Sequence, residues 1–459
     1  MKKPKKQTQD VNRRDFLKSG SATSLMMMMG GVALRAEDKA KPAGGATEYK
    51  TTGSPVNCGV IGCGVWGREI LNTLARLPNA PVVAICDTYQ PFLRRARESA
   101  PKAETYTDYR KLLENKEVKA VLVATPSHQH REIVLAALQA RKHVYCEAPL
   151  ANSIEDARAI AQAARAAVHL NFQSGLSLRS DPQRHFLLQF IRAGAMGKTV
   201  KGRAQWHKKQ SWRRASPNPD REQEINWRLR SAESLGLIGE IGIHQLDLAS
   251  WFIKARPEAV SGFGGLLLWN DGRDVPDTVQ AVLEYPGGVH FNYESTLTNS
   301  FDADYEMFYG TDSAVMVRGN KAWMFKEVDS PLLGWEVYAR KDEFYKETGI
   351  ALVANATKLV AQGAKPVEDA PFTNTPLSYA MEAFVANTDT VHSAVEDFSS
   401  SFDASDRKAL QDYLANITKN NAPASNYEEG FEATVVAIKS NEAVVSRQKI
   451  IFQKEWFQI

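Results

Sequence analysis

The hydrophobic pattern of this chain changes period part-way along. Between residues 57 and 172, short apolar runs alternate with stretches of helical spacing. Asn57 to Ile61 is an apolar run suited to a strand buried on both faces. Ile70, Leu71, Leu74 and Leu77 recur at helical spacing and predict the first helix. Pro81 to Cys86, Val118 to Ala124, His143 to Cys146 and Val168 to Phe172 predict further strands, and His130 to Ala140 a helix. Ser153-Ile154-Glu155-Asp156 opens another helix with a capping pattern. Strands alternating with helices imply a parallel, doubly wound sheet.

The second half is patterned differently. Val200 to Trp206 and Val260 to Trp269 are β-rich. Thr278 to Tyr285 and Val289 to Thr296 flank Pro286-Gly287-Gly288 as a hairpin would. Tyr305 to Tyr309 and Ala314 to Arg318 do the same around Gly310-Thr311-Asp312. Consecutive hairpins imply an open, largely antiparallel sheet in an α+β domain. From Gly349 onward helical spacing returns, over Gly349 to Gln362, Ser378 to Phe398, Ser405 to Ile417 and Phe431 to Val445. No internal repeat is visible.

The first residues stand apart from this plan. Asn12-Arg13-Arg14-Asp15-Phe16-Leu17-Lys18 reads as a twin-arginine export signal, followed by an apolar stretch from Ser19 to Leu34. That stretch is shorter than the ~20 residues of a membrane-spanning helix. Cleavage after Ala36 would make 1–36 a signal peptide, exported by the twin-arginine machinery to the periplasm or cell exterior. An uncleaved leader would instead anchor the chain. Residues 37–55, rich in Lys, Ala, Pro and Gly, read as a linker. The leader carries eight Lys/Arg against two Asp, so the rest of the chain is near −2 although the whole is +4. The basic overall charge therefore implies no nucleic acid partner. The remaining length suits two domains, here 56–175 and 176–459. Cys58, Cys63, Cys86 and Cys146 match no zinc spacing; they read as small core residues, and no metal site is expected.

The most specific motif is Val60-Ile61-Gly62-Cys63-Gly64-Val65-Trp66-Gly67. Gly62 permits the tight turn, Gly64 lets a pyrophosphate approach the backbone, and Gly67 lets the helix pack close to the strand. The helix N-terminus offers unpaired N–H groups to the phosphates. Asp87 follows Gly67 by 20 residues, where an acid grips the ribose hydroxyls. An acid there favours NAD over NADP, because it would repel a 2′-phosphate. Free nicotinamide cofactor is scarce outside the cytoplasm, so an exported protein should hold NAD tightly and restore its redox state each cycle.

With that turn come Thr125-Pro126-Ser127-His128-Gln129-His130, Cys146-Glu147-Ala148-Pro149-Leu150 and Gly239-Glu240-Ile241-Gly242-Ile243-His244-Gln245-Leu246-Asp247. In this combination the chain resembles the glucose-fructose oxidoreductase/inositol dehydrogenase/MocA family over Val56 to Phe325. The helix at Phe431 to Val445 resembles the family's closing helix. The resemblance implies a Rossmann domain, a substrate-carrying open-sheet domain that often oligomerises, and NAD(P)-dependent chemistry on sugars and polyols. It makes Thr125, Pro126, Ser127, His130 and Glu147 cofactor-binding candidates beside Gly62, Cys63, Gly64, Val65, Trp66, Gly67 and Asp87. His130 could equally be a helix residue with a surface role. The family's Glu-Lys-Pro lysine assists proton transfer; here that position is Ala148, which can do none of this.

His244 is the candidate base for a hydroxyl proton. Glu240, four residues before it, would share its helical face, and either Glu240 or Asp247 could orient its ring. Packing of this helix on the sheet is the competing reading. Trp206-His207-Lys208-Lys209-Gln210-Ser211-Trp212-Arg213-Arg214 and Asn226-Trp227-Arg228 interleave basic and aromatic residues. Such a segment suits a sugar cleft, with Trp206, His207, Lys208, Trp212, Arg213 and Trp227 as substrate candidates. The tryptophans could equally be core residues. Three functions follow: an exported NAD-dependent oxidoreductase of a sugar, polyol or derivative; an NAD-dependent glycoside hydrolase working by transient ring oxidation and elimination; or a non-catalytic sugar-binding protein of the same fold.

Overall fold

The computed structural model of the chain describes residues 53–459 except 217, 340, 345–346, 353–371 and 404–405. The leader and most of the linker therefore lie outside the described residues. The first half runs β1 (Cys58–Ile61), α1 (Val65–Leu74), β2 (Val82–Cys86), α2 (Gln90–Ser99), β3 (Glu104–Tyr106), α3 (Tyr109–Glu114), β4 (Ala120–Val123), α4 (His130–Gln139), β5 (His143–Cys146), α5 (Ile154–Ala166) and β6 (Phe172–Ser174). These strands form one parallel sheet in the order β3-β2-β1-β4-β5-β6. β1, β4 and β5 are buried along their whole length, which is why each is an unbroken apolar run. The order reverses between β1 and β4, leaving a crevice at their carboxyl ends.

The last strand starts later than expected. β6 begins at Phe172 and pairs with Val144 to Cys146, while Val168 to Asn171 precede it. Ser153 caps α5, its hydroxyl accepting from the Asp156 N–H at 3.1 Å.

The second half contributes α6 (Pro182–Arg192), β7 (Thr199–His207), α7 (Pro219–Ile225), α8 (Gly236–Glu240), α9 (Ile243–Ile253), β8 (Ala259–Gly265), β9 (Thr278–Tyr285), β10 (Val289–Thr296), β11 (Asp304–Gly310), β12 (Ser313–Arg318), β13 (Lys321–Lys326), β14 (Lys341–Phe344) and β15 (Glu347–Ala351). Its chain then forms α10 (Pro376–Ser401), α11 (Arg407–Ile417), α12 (Tyr427–Ser446) and β16 (Ile450–Ile451). The ten strands form a sheet in the order β14-β15-β13-β12-β11-β7-β10-β9-β8-β16. Among the described residues of this sheet only β7 and β10 pair in parallel, and the other pairs are antiparallel. β9 and β10 alternate buried and open positions, and both expected hairpins form at the expected residues. The buried face carries Leu283, Phe291, Tyr293 and Val315 against Leu246 and Ala249 of α9.

Two expectations change here. Gly349 to Ala351 lie in β15 rather than a helix, pairing with β13 and β14; 353–362 are outside the described residues. A side chain at Gly349 would meet the Phe325 ring at 2.9 Å, so glycine allows the strands to close. β8 ends at Gly265 because the buried Asp277 carboxylate takes the N–H groups of Leu267, Leu268 and Trp269, at 2.8–3.1 Å, out of the ladder. The expected helices Ser378 to Phe398 and Phe431 to Val445 lie within α10 and α12, whereas that of Ser405 to Ile417 is α11 only from Arg407, with Asp406 as its cap and Ser405 outside the described residues.

The tail does not stay with the second domain. Leu377, Met381 and Phe384 of α10 pack on Ile70, Leu71 and Leu74 of α1. Phe431 and Val435 of α12 join the core formed by Val144, Cys146 and Leu150. Residue 175 therefore marks a change of sheet, while the first sheet's helical cover is completed from the far end of the chain. All four cysteines are buried and free.

Candidate active site

The crevice between β1 and β4 is built by glycine. Gly62 turns the chain at φ 93°, where a Cβ would lie 2.6 Å from the Ala124 carbonyl oxygen. Gly64 precedes α1, whose first turn holds no acidic residue and no side-chain cap. Its leading N–H groups are thus available to an anion. A Cβ on Gly64 would have nothing nearer than Phe92 at 4.0 Å, so the space above it is open. Asp87 leaves β2 and accepts from Cys63 N and Tyr89 N, both at 2.7 Å. Burial pushes its carboxyl up, against the two backbone hydrogen bonds and Arg221.

A cavity of about 490 Å³ follows this crevice. Gly62, Gly64, Val65, Trp66, Asp87, Thr125, Pro126 and Trp227 line it, together with His128 and Arg228. The buried Thr125 Oγ1 and His128 Nδ1 have no hydrogen-bond partner there. A glycine-lined cradle, a bare helix N-terminus, an acid at the end of β2 and orphaned polar atoms fit a dinucleotide.

Four expected cofactor residues act from behind the wall. Cys63 is fully buried and contributes its backbone N–H. Ser127 is buried and donates to Glu240 Oε1 at 3.0 Å. His130 is 1% exposed, which corrects its reading as a cofactor contact or surface residue. Its ring nitrogens stand 3.0 Å from the carbonyls of Thr125 and Pro149, and the one N–H of the neutral ring donates to one of them, between the loops after β4 and β5. Burial pushes its pKa down to about 4, outweighing the nearby backbone groups of Thr125, Pro149 and Leu150. Glu147 is buried under Trp66 with Oε1 unpartnered.

Burial pushes the Glu147 carboxyl up to about 7, against Trp66, Tyr145, the Ala148 N–H and Arg228. The unfolded chain loses this proton near 4.5, whereas the folded chain keeps it to about 7. Cofactor-free protein should therefore lose stability as pH rises from about 4.5 to 7, by up to ~3 kcal/mol from this group. Glu147→Gln should remove that part of the slope, so its stability advantage over wild type grows between pH 5 and pH 8 in urea unfolding. A constant difference across that range would contradict the buried acid.

Glu240, His244 and Asp247 are not arranged as one helical face. α8 stops at Glu240 and α9 starts at Ile243, because Gly242 packs under the Tyr293 ring and its N–H reaches back to the Leu237 carbonyl at 2.9 Å. Glu240 Oε1 accepts from Ser127, Ser234 and the Leu235 N–H. Both Asp247 oxygens take the Arg179 guanidinium, at 2.8 and 2.9 Å. Neither carboxylate orients His244 by a hydrogen bond, which corrects that expectation. The His244 ring keeps a buried, unpartnered Nδ1. Its neighbour Ile243 belongs to the small core of Leu176, Ala433 and Ala437 on which Ala148 packs, and His244 itself is not among the residues lining the dinucleotide cavity.

The basic-aromatic segment is divided. Trp206 packs partly on the second core, His207 Nδ1 lies 3.1 Å from the Phe301 carbonyl, and Lys208 is exposed. These three line neither this cavity nor the smaller one beside it. Trp227 lines the first; Trp212 and Arg213 line the second. Arg228 was not among the expected site residues. It lines both cavities, its guanidinium 4.7 Å above the Trp227 ring. Surrounding protein pushes its pKa down, while Glu240 and Glu147 pull it up.

A model of the oxidoreductase family with an NAD-binding Rossmann fold matches residues 56–173, and one of the GFO/IDH/MocA C-terminal domain matches 186–324. The chain belongs to the GFO/IDH/MocA family. Levoglucosan dehydrogenase of Pseudarthrobacter phenanthrenivorans is 27% identical to it over 296 residues, 57% of this chain and 73% of that one. An alpha-N-acetylgalactosaminidase of Shewanella oneidensis is 26% identical over 231 residues, 44% and 50% of the two chains. A solved levoglucosan dehydrogenase in complex with NADH and levoglucosan superposes with a TM-score of 0.62 at 17% identity, covering 87% of this chain and 99% of the other. This GFO/IDH/MocA protein is an NAD-binding oxidoreductase.

Proposed function

We propose that this GFO/IDH/MocA protein is exported and oxidises a hydroxyl of a sugar, polyol or sugar derivative with NAD that stays bound between turnovers. The observation that carries the reading is His244: an imidazole with a buried, unpartnered nitrogen, next in sequence to Ile243 of the small core on which Ala148 packs. Burial holds its pKa below the ordinary 6.5, against Asp247, so the ring is neutral at neutral pH and free to accept a proton. Bound NAD supplies the hydride acceptor. Arg228 remains charged, so it cannot take the hydroxyl proton, but its guanidinium can stabilise negative charge developing on the oxygen. The lysine's work is thereby divided, the proton going to His244 and the charge to Arg228.

Retention of the cofactor is supported by the segment between β7 and α8. Arg221 Nη2 donates to the Thr88 carbonyl at 3.1 Å, and the Ser216 and Tyr89 hydroxyls lie 3.4 Å apart. The segment so crosses to the strand end that bears Asp87. Export rests on Arg13 and Arg14 of the leader. The open sheet face, with Phe263 65% and Val282 40% exposed, supports a homo-oligomer.

Ala148 favours a second reading, glycoside cleavage by transient ring oxidation, in which hydride returns to the sugar and no net redox change remains. The deciding experiment is the nucleotide content of protein purified without added cofactor, followed by absorbance of the reduced cofactor on adding free sugars or aryl glycosides. Bound NAD that becomes and stays reduced with a free sugar is the expected result. Aglycone release without net reduction would replace it with the glycosidase. Absence of nucleotide would undercut cofactor retention and favour a binding protein.

A further inference from the structure

A second cavity, of about 280 Å³, adjoins the dinucleotide cavity, and Ile225 and Arg228 line both. Three of its walls are arginines, Arg213, Arg214 and Arg228, and no acidic side chain is among its described lining. Arg213 is already engaged: it donates to the Asp271 carbonyl at 2.6 Å and to Glu222 Oε1 at 2.9 Å. Arg214 is held through its backbone. Its N–H donates to Asn226 Oδ1 at 2.8 Å, and its carbonyl accepts from Asn226 Nδ2 at 2.7 Å. Asn226 is itself buried, so the peptide of Arg214 is fixed while its guanidinium meets no hydrogen-bonded partner among the described residues.

The charges around it are of its own sign. After burial, Arg228, Arg68 and Arg95 push the Arg214 pKa down. Arg68 Nη1 is buried and unpartnered as well. The loop's shape also carries strain: Trp212 holds φ 63°, a region a bulky side chain rarely adopts, with its indole packed on the second core. Arg213 has Glu222 and Arg228 has Glu240 and Glu147 as counter-charges, which leaves Arg214 as the exposed cation whose guanidinium an anionic ligand would engage in charge-assisted hydrogen bonds.

We propose that this cavity is the subsite for an anionic group on the carbohydrate, a carboxylate or a sulfate ester, with Arg214 as the specificity-determining residue. The inference rests on the dinucleotide cavity being the redox site, and it narrows the substrate from carbohydrates in general to anionic ones. Arg228, shared by both cavities, places the charged group next to the reacting hydroxyl.

The test uses protein with its nucleotide bound. Binding of D-glucuronate, D-glucose 6-sulfate and D-glucose is measured by calorimetry for wild type, Arg214→Gln and Arg214→Lys, with nucleotide content determined for each. Wild type should bind at least one anionic sugar about tenfold or more tightly than glucose, as one charge-assisted contact allows. Whichever anion is preferred identifies the group. Arg214→Gln should lose the preference while binding glucose as before, and Arg214→Lys should keep part of it. Equal affinity for charged and neutral sugars in wild type, or binding of none, overturns the proposal. Loss of nucleotide from Arg214→Gln also overturns it, assigning the arginine to the cofactor's phosphates. Sugars that bind with this selectivity but never change the cofactor's absorbance would instead overturn the redox reading and leave the anion subsite standing.

Discussion

His244→Ala is expected to retain its bound nucleotide and its thermal stability while turnover falls by about 10²–10⁴-fold. The stability half follows from the ring's surroundings. His244 Nδ1 bonds to nothing among the described residues, so truncation breaks no hydrogen bond there and instead removes an orphaned buried polar atom. The activity half follows from the chemistry. A carbinol carbon cannot surrender its hydride unless its hydroxyl also loses a proton, and with alanine at 148 the family's usual proton carrier is missing. Arg228 cannot substitute, because its guanidinium stays protonated. Single-turnover reduction of the bound cofactor, followed by absorbance, separates this step from product release. The wild-type rate should hold its plateau to below pH 6.5 before falling, since burial lowers the imidazole. His244→Gln should be as slow as the alanine variant. Wild-type single-turnover rates in His244→Ala would remove the residue from the mechanism.

How much of this was legible in the sequence depends on the range of the forces involved. β1, β4 and β5 are buried on both faces and declare themselves as apolar runs; the hairpins declare themselves through Gly287-Gly288 and Gly310. α2 buries only Leu93 and Ala96, and β3 is an exposed edge, so neither leaves a pattern to read. Gly349-Ile350-Ala351-Leu352 is apolar without a period, and only pairing with β13 decides that it is strand.

The site divides the same way. The glycine turn is a local device and was readable residue by residue. His128 and His130 are two positions apart, and a 3₁₀ turn at Ser127–Gln129 decides that the first lines the cavity while the second is buried. Glu240 and His244 have helical spacing, yet the Tyr293 ring against Gly242 belongs to another strand and separates them. Of the cations between 208 and 228, spacing cannot say which face the cavity; that depends on how α7 docks on Thr88, a contact 133 residues away.

Gly67→Ala should cost both the cofactor and the stability of the first domain, whereas Gly64→Ala should cost the cofactor alone. The two glycines belong to one motif but answer to different neighbours. A Cβ at Gly67 would stand 1.8 Å from the Gly62 carbonyl oxygen, and backbone cannot swing aside as a side chain does. Relief needs either Gly62 or α1 to move. Gly62 is fixed by its own N–H, which donates to the Cys86 carbonyl at 2.8 Å, and by Ala124 behind it. α1 is fixed on its far side, where Ile70, Leu71 and Leu74 are fully buried under α10. Shifting α1 would open that interface, so the cost should reach or exceed the ~1–3 kcal/mol usual for overpacking. At Gly64 the backbone sits at φ −61° and ψ −160°, at the rim of the extended region and reached by alanine with a small backbone adjustment, and the new methyl would stand in open space above the helix N-terminus. That variant should melt with wild type yet be purified without nucleotide, because the methyl occupies the path of the pyrophosphate. Nucleotide content and the unfolding midpoint of both variants, each compared with cofactor-stripped wild type, separate the two effects. A Gly64→Ala protein that keeps its nucleotide would mean that the phosphates do not pass over this turn, and a Gly67→Ala protein as stable as wild type would mean that α1 can slide on the sheet.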